Sequence, residues 1–500
     1  MMVCGLFKRI APLAKSFWQD TQGIILPYVT IMLVVIVGVA VLALDGVRYM
    51  SLQTQLQNGA DALALAGAAE LDRMPDAENR SLRAINNLVV NSTLLGTGSS
   101  QNVQVAQANF YSRLPASDSN PMSAGIPATD ATNARFISVT VKPTTLNTIL
   151  PASFFGGANV VTTGASAVAG LDQVVCHATP LYVCNPYETQ GMSYAQATAA
   201  LQDAVATPSI RRRLIRLRQY GANSRPMTAG DMGFLRASTL GAGQGELVNA
   251  LASARPAACF VQNGVSFRPG LIPAAREAFN VRFDIYEGTM LAHKNDFNYR
   301  PAENVRKGYV GGGGGGEGDE SGNSCAALPG ANWPLGSPPR QATGLPLDRE
   351  WPYMNGRMGN GLWDFSTYWQ ANHGGSGRPP PIIGGAPASN ENPPSRYSVY
   401  RYEIEQGYVN DLSPGGETGA PTCYSGNLSD KPDRRVIIAA IINCQSLGLR
   451  DDVERDVPVA AFGKFFLTLP AVSQDEIYVE TVGLVKPGDE EDFDMVQLYR

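Results

Sequence analysis

The most pronounced feature of the hydrophobic pattern lies near the N-terminus. From Ile24 to Leu44 the chain reads IILPYVTIMLVVIVGVAVLAL, 21 residues without a charge. At 1.5 Å per residue a helix of that length spans about 31 Å, the thickness of a bilayer's hydrocarbon core. A cleaved signal peptide has a shorter apolar stretch and a small-x-small cleavage site, whereas this run ends at Asp45 with Val47-Arg48-Tyr49 following. The pattern therefore predicts a retained transmembrane helix over 23–44. Beyond it the apolar positions narrow to a stripe. Tyr49, Leu52, Leu56, Ala60, Leu63 and Gly67 recur at spacings of three and four, against a polar face of Gln53, Gln55, Gln57 and Asp61. One helical rod running on to about Asp72 results. Its stripe is rich in Ala and Gly, which allow close approach of another element. Two readings follow: a stalk helix buried in its own domain, or these six residues as a packing face for similar helices of partner proteins.

Alternating or β-branched stretches at Asn102–Tyr111, Phe136–Val141 and Asn159–Ala169 predict strands, so 45–170 reads as a helix plus a small antiparallel sheet. From 171 to 500 a larger α+β domain is expected. It opens with a strand around Val174–Val183, a helix over Tyr194–Ala206 and a second helix near Ser209–Tyr220. That second helix would carry Arg211, Arg212, Arg213, Arg216 and Arg218, with Ile210, Leu214 and Leu217 as its buried face. Its charges read as a solvated face or as a contact with an anionic membrane surface. Val436–Ile442 is a β-branched apolar run that predicts a central strand buried on both faces. Ile477–Val485 and Met495–Tyr499 then predict a hairpin around the acidic tip Lys486–Asp492, whose spacing lacks the alternating ligands of a calcium loop.

Charge and composition orient this plan. Segment 1–22 carries Lys8, Arg9 and Lys15 against Asp20, which by the positive-inside rule keeps it in the cytoplasm and places the remainder across the membrane. A net charge of −5 over 500 residues argues against nucleic-acid binding. Cys4 falls on the cytoplasmic side, while Cys176, Cys184, Cys259, Cys325, Cys423 and Cys444 form an even set in an oxidising compartment. Of their 15 connectivities, short-loop closure favours Cys176–Cys184 and Cys423–Cys444, leaving Cys259–Cys325; buried free thiols are the alternative. Residues 311–390 hold 19 Gly and 10 Pro among 80, so an insertion at about 308–395 reads as largely mobile loop. Trp333, Trp351, Trp363 and Trp369 lie inside it, which predicts that parts of it dock on the domain or on a partner.

Signs of catalysis are weak. His177, His293 and His373 are the only histidines. Gly374-Gly375-Ser376-Gly377-Arg378 departs from the nucleophile elbow by its final Arg, and the Gly241–Gly245 string lacks a following Lys-Ser/Thr. No enzyme, cofactor, metal site or small-molecule substrate is expected.

Gln22-Gly23-Ile24, the apolar span, Leu44-Asp45-Gly46-Val47-Arg48-Tyr49 and Leu56-Gln57-Asn58-Gly59-Ala60-Asp61-Ala62 through Ala68 together resemble the N-terminal module of the TadE/TadG-like family of Flp (tight adherence) pilus assembly. The length is similar to TadG rather than to the shorter TadE and TadF. Pro180–Pro186, Gly230–Leu235, Asn280–Asp284 and Arg434 through Cys444 also resemble distal parts of TadG-like chains. The resemblance implies a minor-pilin-like (pseudopilin) protein of the bacterial inner membrane with a periplasmic or surface-associated body. Its implied partners are TadE- and TadF-type proteins and the assembly machinery, and its implied role is pilus biogenesis and adherence. An anchored envelope protein or adhesin outside any pilus is the alternative. The Asp-x-Ser-x-Ser metal site of some TadG-like proteins is absent from the sequence, and cleavage after Gly23 would put Tyr28 where prepilins usually carry Glu.

Overall fold

The computed structural model describes residues 25–499 except 73, 88–91, 94–100, 116, 118, 132, 150–157, 222–224, 238–239, 242, 263, 309–343, 354–355, 375–380, 412–417, 429–431, 451–455, 472, 474–475 and 487. Segment 1–22, Cys325, the glycine run 311–316, Trp333 and Ser376 lie outside them. The chain divides into two compact units, one of residues up to Asp172 with Met495–Arg500, the other Gln173–Asp494.

The first unit is built on one helix, Ile25–Ala68, continuous from the apolar span through the stripe. A sharp bend returns the chain into the helix Ala77–Asn87, which buries Ala77, Ser81 and Ile85. Arg80 holds that bend through Asp72, Asp76 and Glu70. An antiparallel sheet follows in the order Ile126–Pro127, Val105–Arg113, Phe136–Val141, Ser166–Cys176. Alternation does the sorting here. Ile137, Val139 and Val141 with Ala167, Ala169 and Leu171 form one cluster with Leu52, Leu56, Ala60 and Leu63.

The second unit contains a closed barrel. Its strands follow the order Leu214–Gln219, Glu476–Leu484, Ala461–Leu467, Val436–Ile442, Leu181–Cys184, Asp231–Arg236, and the last pairs back onto the first through Arg218↔Asp231 and Gln219↔Met232. Two of the six neighbour relations are parallel, at Val436–Ile442 beside Leu181–Cys184 and at this closing seam. Side chains from all six strands, among them Val183, Leu217, Phe234, Ile441, Phe465 and Val479, share one core, as expected for the inside of a small closed barrel. The helices Gln244–Ala252 and Ala275–Asn280 pack into the same core.

Three expectations are corrected. The arginine-laden stretch is a short helix, Pro208–Arg211, followed by a strand, Leu214–Gln219. The sequence Leu-Ile-Arg-Leu-Arg-Gln fits strand and helix periods alike, and barrel neighbours on both sides decide for the strand. The C-terminal strand Asp492–Leu498 pairs with Ser166–Cys176 instead of folding back on Glu476–Leu484. The cysteines pair as Cys176–Cys259 and Cys184–Cys444. Loop length does not govern them; strand register does, since Cys176 and Cys259 face each other across an antiparallel ladder and Cys184 ends a strand parallel to the one preceding Cys444. Cys423 is disulfide-bonded as well.

Other readings find definite places. The helix Tyr194–Ala206 carries a full capping box between Ser193 and Gln196. Val436–Ile442 lies between two strands with six of its seven residues buried. The acidic tip is engaged by Lys464, 2.9 Å from Asp489 and 3.2 Å from Glu491. Within the insertion, Trp363 and Trp369 are buried in a satellite core of the second unit together with Phe466.

Asp231 sits at the barrel seam with no exposure. Arg225 grips both its oxygens at 2.8 Å, Arg357 from the insertion adds a contact at 2.6 Å, and the Thr228 N–H donates at 2.7 Å. Burial alone would raise its pKa; these partners outweigh burial and hold it below the ordinary 3.8. Its folded-state value being depressed, its stabilisation is present above that ordinary value and is lost as pH falls through the lower, folded value. Asp231→Asn is expected to cost about 3–5 kcal/mol near neutral pH by stranding two guanidinium groups. Urea titrations at neutral and strongly acidic pH check this: the gap between variant and parent should close in acid.

Candidate functional site: the exposed half of the long helix

Among the described residues little in the first unit covers the initial half of the long helix. Tyr28, Ile31, Val34, Ile36, Val39, Leu42, Val47 and Met50 are each at least 60% exposed. So much apolar surface on one element is not compatible with water around it. By length and composition the helix is able to cross a membrane.

The transition from exposed to covered is marked by polar contacts at the end of the apolar run. Asp45 accepts from the Ile149 N–H at 2.9 Å and from Arg48 at 3.3 Å, and Arg48 also donates to the Asn147 carbonyl at 3.2 Å. One turn later Leu52 is fully buried. Farther on, Gln57 donates to Asp61 at 2.7 Å and to the Ser166 carbonyl at 3.1 Å, tying the polar flank of the helix to the sheet.

The six stripe residues are therefore brought together on one face, and that face is taken up inside the unit. Leu52, Leu56, Ala60 and Leu63 are at most 1% exposed, Gly67 is buried and Tyr49 is partly buried against the same core. The small residues serve this contact. A Cβ at Gly67 would stand 2.9 Å from both Ile137 Cδ1 and Ile85 Cγ2. Of the two sequence readings of the stripe, burial in its own unit is the arrangement seen; no room is left on it for a second helix.

One of the weak catalytic candidates, His373, is taken up in the packing of the second unit. His373 is buried, with Nε2 2.8 Å from Glu403 and Nδ1 3.1 Å from Asp411, and Tyr368 donates to the same Glu403 at 2.7 Å. Although burial opposes ionisation of Glu403, Arg306 and His373 hold its pKa below the usual range. Among the described residues no group of three or more His, Cys, Asp or Glu is arranged to hold a metal ion.

Residues 23–70 match the family model of Flp pilus-assembly TadE/G-like proteins. That N-terminal segment is similar to the TadE/G-like module. The matched segment coincides with the long helix, exposed half and buried half together. No curated protein and no solved structure matches the chain. Arg282 and Arg434, buried without a carboxylate partner among the described residues, were not legible as a pair, because only the fold brings the two segments together.

Gly67→Leu is expected to overpack the helix–sheet contact and lower stability by about 1–3 kcal/mol. Gly67→Ala should be close to neutral, because a helix-propensity gain of about 1 kcal/mol offsets a milder clash. Urea titration of the detergent-solubilised chain distinguishes this from a stripe facing partner proteins, where neither change would destabilise the isolated chain.

Proposed function

We propose that this protein is a non-enzymatic, membrane-anchored component of Flp/Tad pilus biogenesis, minor-pilin-like and TadG-like, working through helix packing with other pilin-like proteins. The segment before the helix lies in the cytoplasm of a bacterium, the helix spans the inner membrane, and the body stands in the periplasm or at the surface, where it contributes to adherence. The observation that carries this reading is the division of one 44-residue helix into an exposed apolar half and a half covered by its own sheet. A long helix whose outer part rests on an antiparallel sheet is also the plan expected of a pilin-like module.

The division narrows where partners make contact. With the stripe occupied, helices of TadE- or TadF-type proteins meet this one through Tyr28–Met50, within the lipid. Gly38 and Gly46 have no atom within 4 Å of where a Cβ would stand, so a neighbouring helix can come close there.

The double variant Ile36→Arg, Val39→Arg tests the anchor and the packing together. Each arginine near the middle of a span costs about 2.5–3.5 kcal/mol on insertion scales. The variant is expected to be washed from membranes by alkaline carbonate, to lose co-purification with TadE- and TadF-like proteins and to abolish surface pili. Normal piliation with a carbonate-extractable variant would refute the proposal.

A further inference from the structure

The second unit contains a cavity of about 940 Å³ whose wall carries Arg255, Arg282, Arg300 and Arg434 together with Asp433, Glu490 and Glu491; Asp433 is paired with Arg401 and Glu491 with Lys464. Its floor is the outer face of the barrel. Val436, Ile438, Lys464 and Val482 line it, while their alternates Ile437, Ala439 and Phe465 point into the barrel core. Phe297 and Phe493, both about half exposed, also line it.

The arginines on its wall are unusual in what they contact. Arg282 is 2% exposed, yet it donates only Nη1 to the Ala278 carbonyl at 3.2 Å, and its Nε has no partner. Arg434 gives Nε to the Arg300 carbonyl at 2.8 Å, Nη1 to Ser253 at 3.2 Å and Nη2 to Ala252, all carbonyls. Neither meets a carboxylate among the described residues. Elsewhere in this unit Arg396 lies against Asp348 and Glu480, Arg306 against Glu403, and Arg435 between the rings of Phe283 and Phe466. Burial, reinforced by the charge of Arg434, pushes Arg282 well below the ordinary guanidinium range. Lys464, by contrast, is already neutralised by Asp489 and Glu491.

We propose that this cavity binds an acidic peptide segment, its carboxylate taken by Arg282 with Arg434 and Arg255, its apolar side chains resting on Val436, Ile438 and Val482. A carboxylate at Arg282 would use the orphaned Nε–H and offset the repulsion between two buried cations. The volume suits an organic ligand and far exceeds an inorganic anion. The aliphatic floor of Val436, Ile438 and Val482 suits apolar side chains better than the hydroxyls of an acidic sugar, which favours the peptide.

The test uses the full chain in detergent and a fluorescein-labelled octapeptide of alternating valine and glutamate with a free C-terminal carboxylate, followed by fluorescence polarisation. Saturable binding is expected, weakened at least tenfold in Arg282→Met and severalfold in the surface variant Arg255→Glu. Removing an unpaired buried charge should leave the thermal midpoint of Arg282→Met equal to the parent or higher, which a purely structural arginine would not do. Equal binding of the valine–glutamine peptide would overturn the proposal. So would unchanged affinity in Arg255→Glu together with a lowered midpoint in Arg282→Met, or capture of an oligogalacturonate but not the peptide. Displacement of the peptide by inorganic phosphate at equimolar concentration would likewise reduce the site to an adventitious anion pocket.

Discussion

An apolar helical surface has to be covered by something other than water, and the long helix meets that requirement in two ways along its length. Around Leu52, Leu56 and Leu63 the cover is the chain's own sheet, each fully buried leucine adding about 1.5–3 kcal/mol as an upper estimate. From Tyr28 to Leu44 the described residues supply little cover, and the pattern changes from a stripe to apolar on every side. The polar contacts of Asp45 and Arg48 stand where one regime gives way to the other. The family match falls on both halves at once, so the matched segment takes in this change of surroundings as well as the apolar run.

Buried charge is the second constraint, and the body handles it in distinct ways. Asp231 and Glu403 each gather several donors and remain ionised despite burial. Arg435 gives its donors to the carbonyls of Leu467, Asn304 and Thr468 and rests its planar faces on aromatic rings. Adjacent in sequence, Arg434 has carbonyl partners but lies beside Arg282 and a cavity. Two consecutive arginines in the short 3-10 turn Pro432–Arg435 thus have different surroundings.

What the sequence made legible follows from how local each signal is. The membrane-length helix, its continuation as a stripe, the helix Tyr194–Ala206 and the strands Phe136–Val141 and Val436–Ile442 all announce themselves within a dozen or so residues. The barrel does not, since one of its ladders joins Leu214–Gln219 to Glu476–Leu484 across most of the second unit. Misreading Leu214–Gln219 as helical had the same origin: six residues satisfy either period, and the deciding neighbours are distant in the chain. The disulfides show the limit most plainly, for Cys184 and Cys444 are 260 residues apart and meet only because two strands run parallel. For the candidate site, the exposed span was readable from composition alone, whereas the fate of the stripe depended on a sheet whose facing residues no helical pattern could reveal.

The second unit is spliced into the first: the chain leaves after Asp172 and comes back at Met495 to pair beside Ser166–Cys176. During vectorial synthesis the sheet of the first unit therefore waits, one ladder incomplete, while more than three hundred intervening residues emerge. An open β-edge is an invitation to mispair. A nascent chain of this topology has a prolonged window in which chaperones, or a neighbouring subunit's strand, can occupy the place reserved for its own last residues.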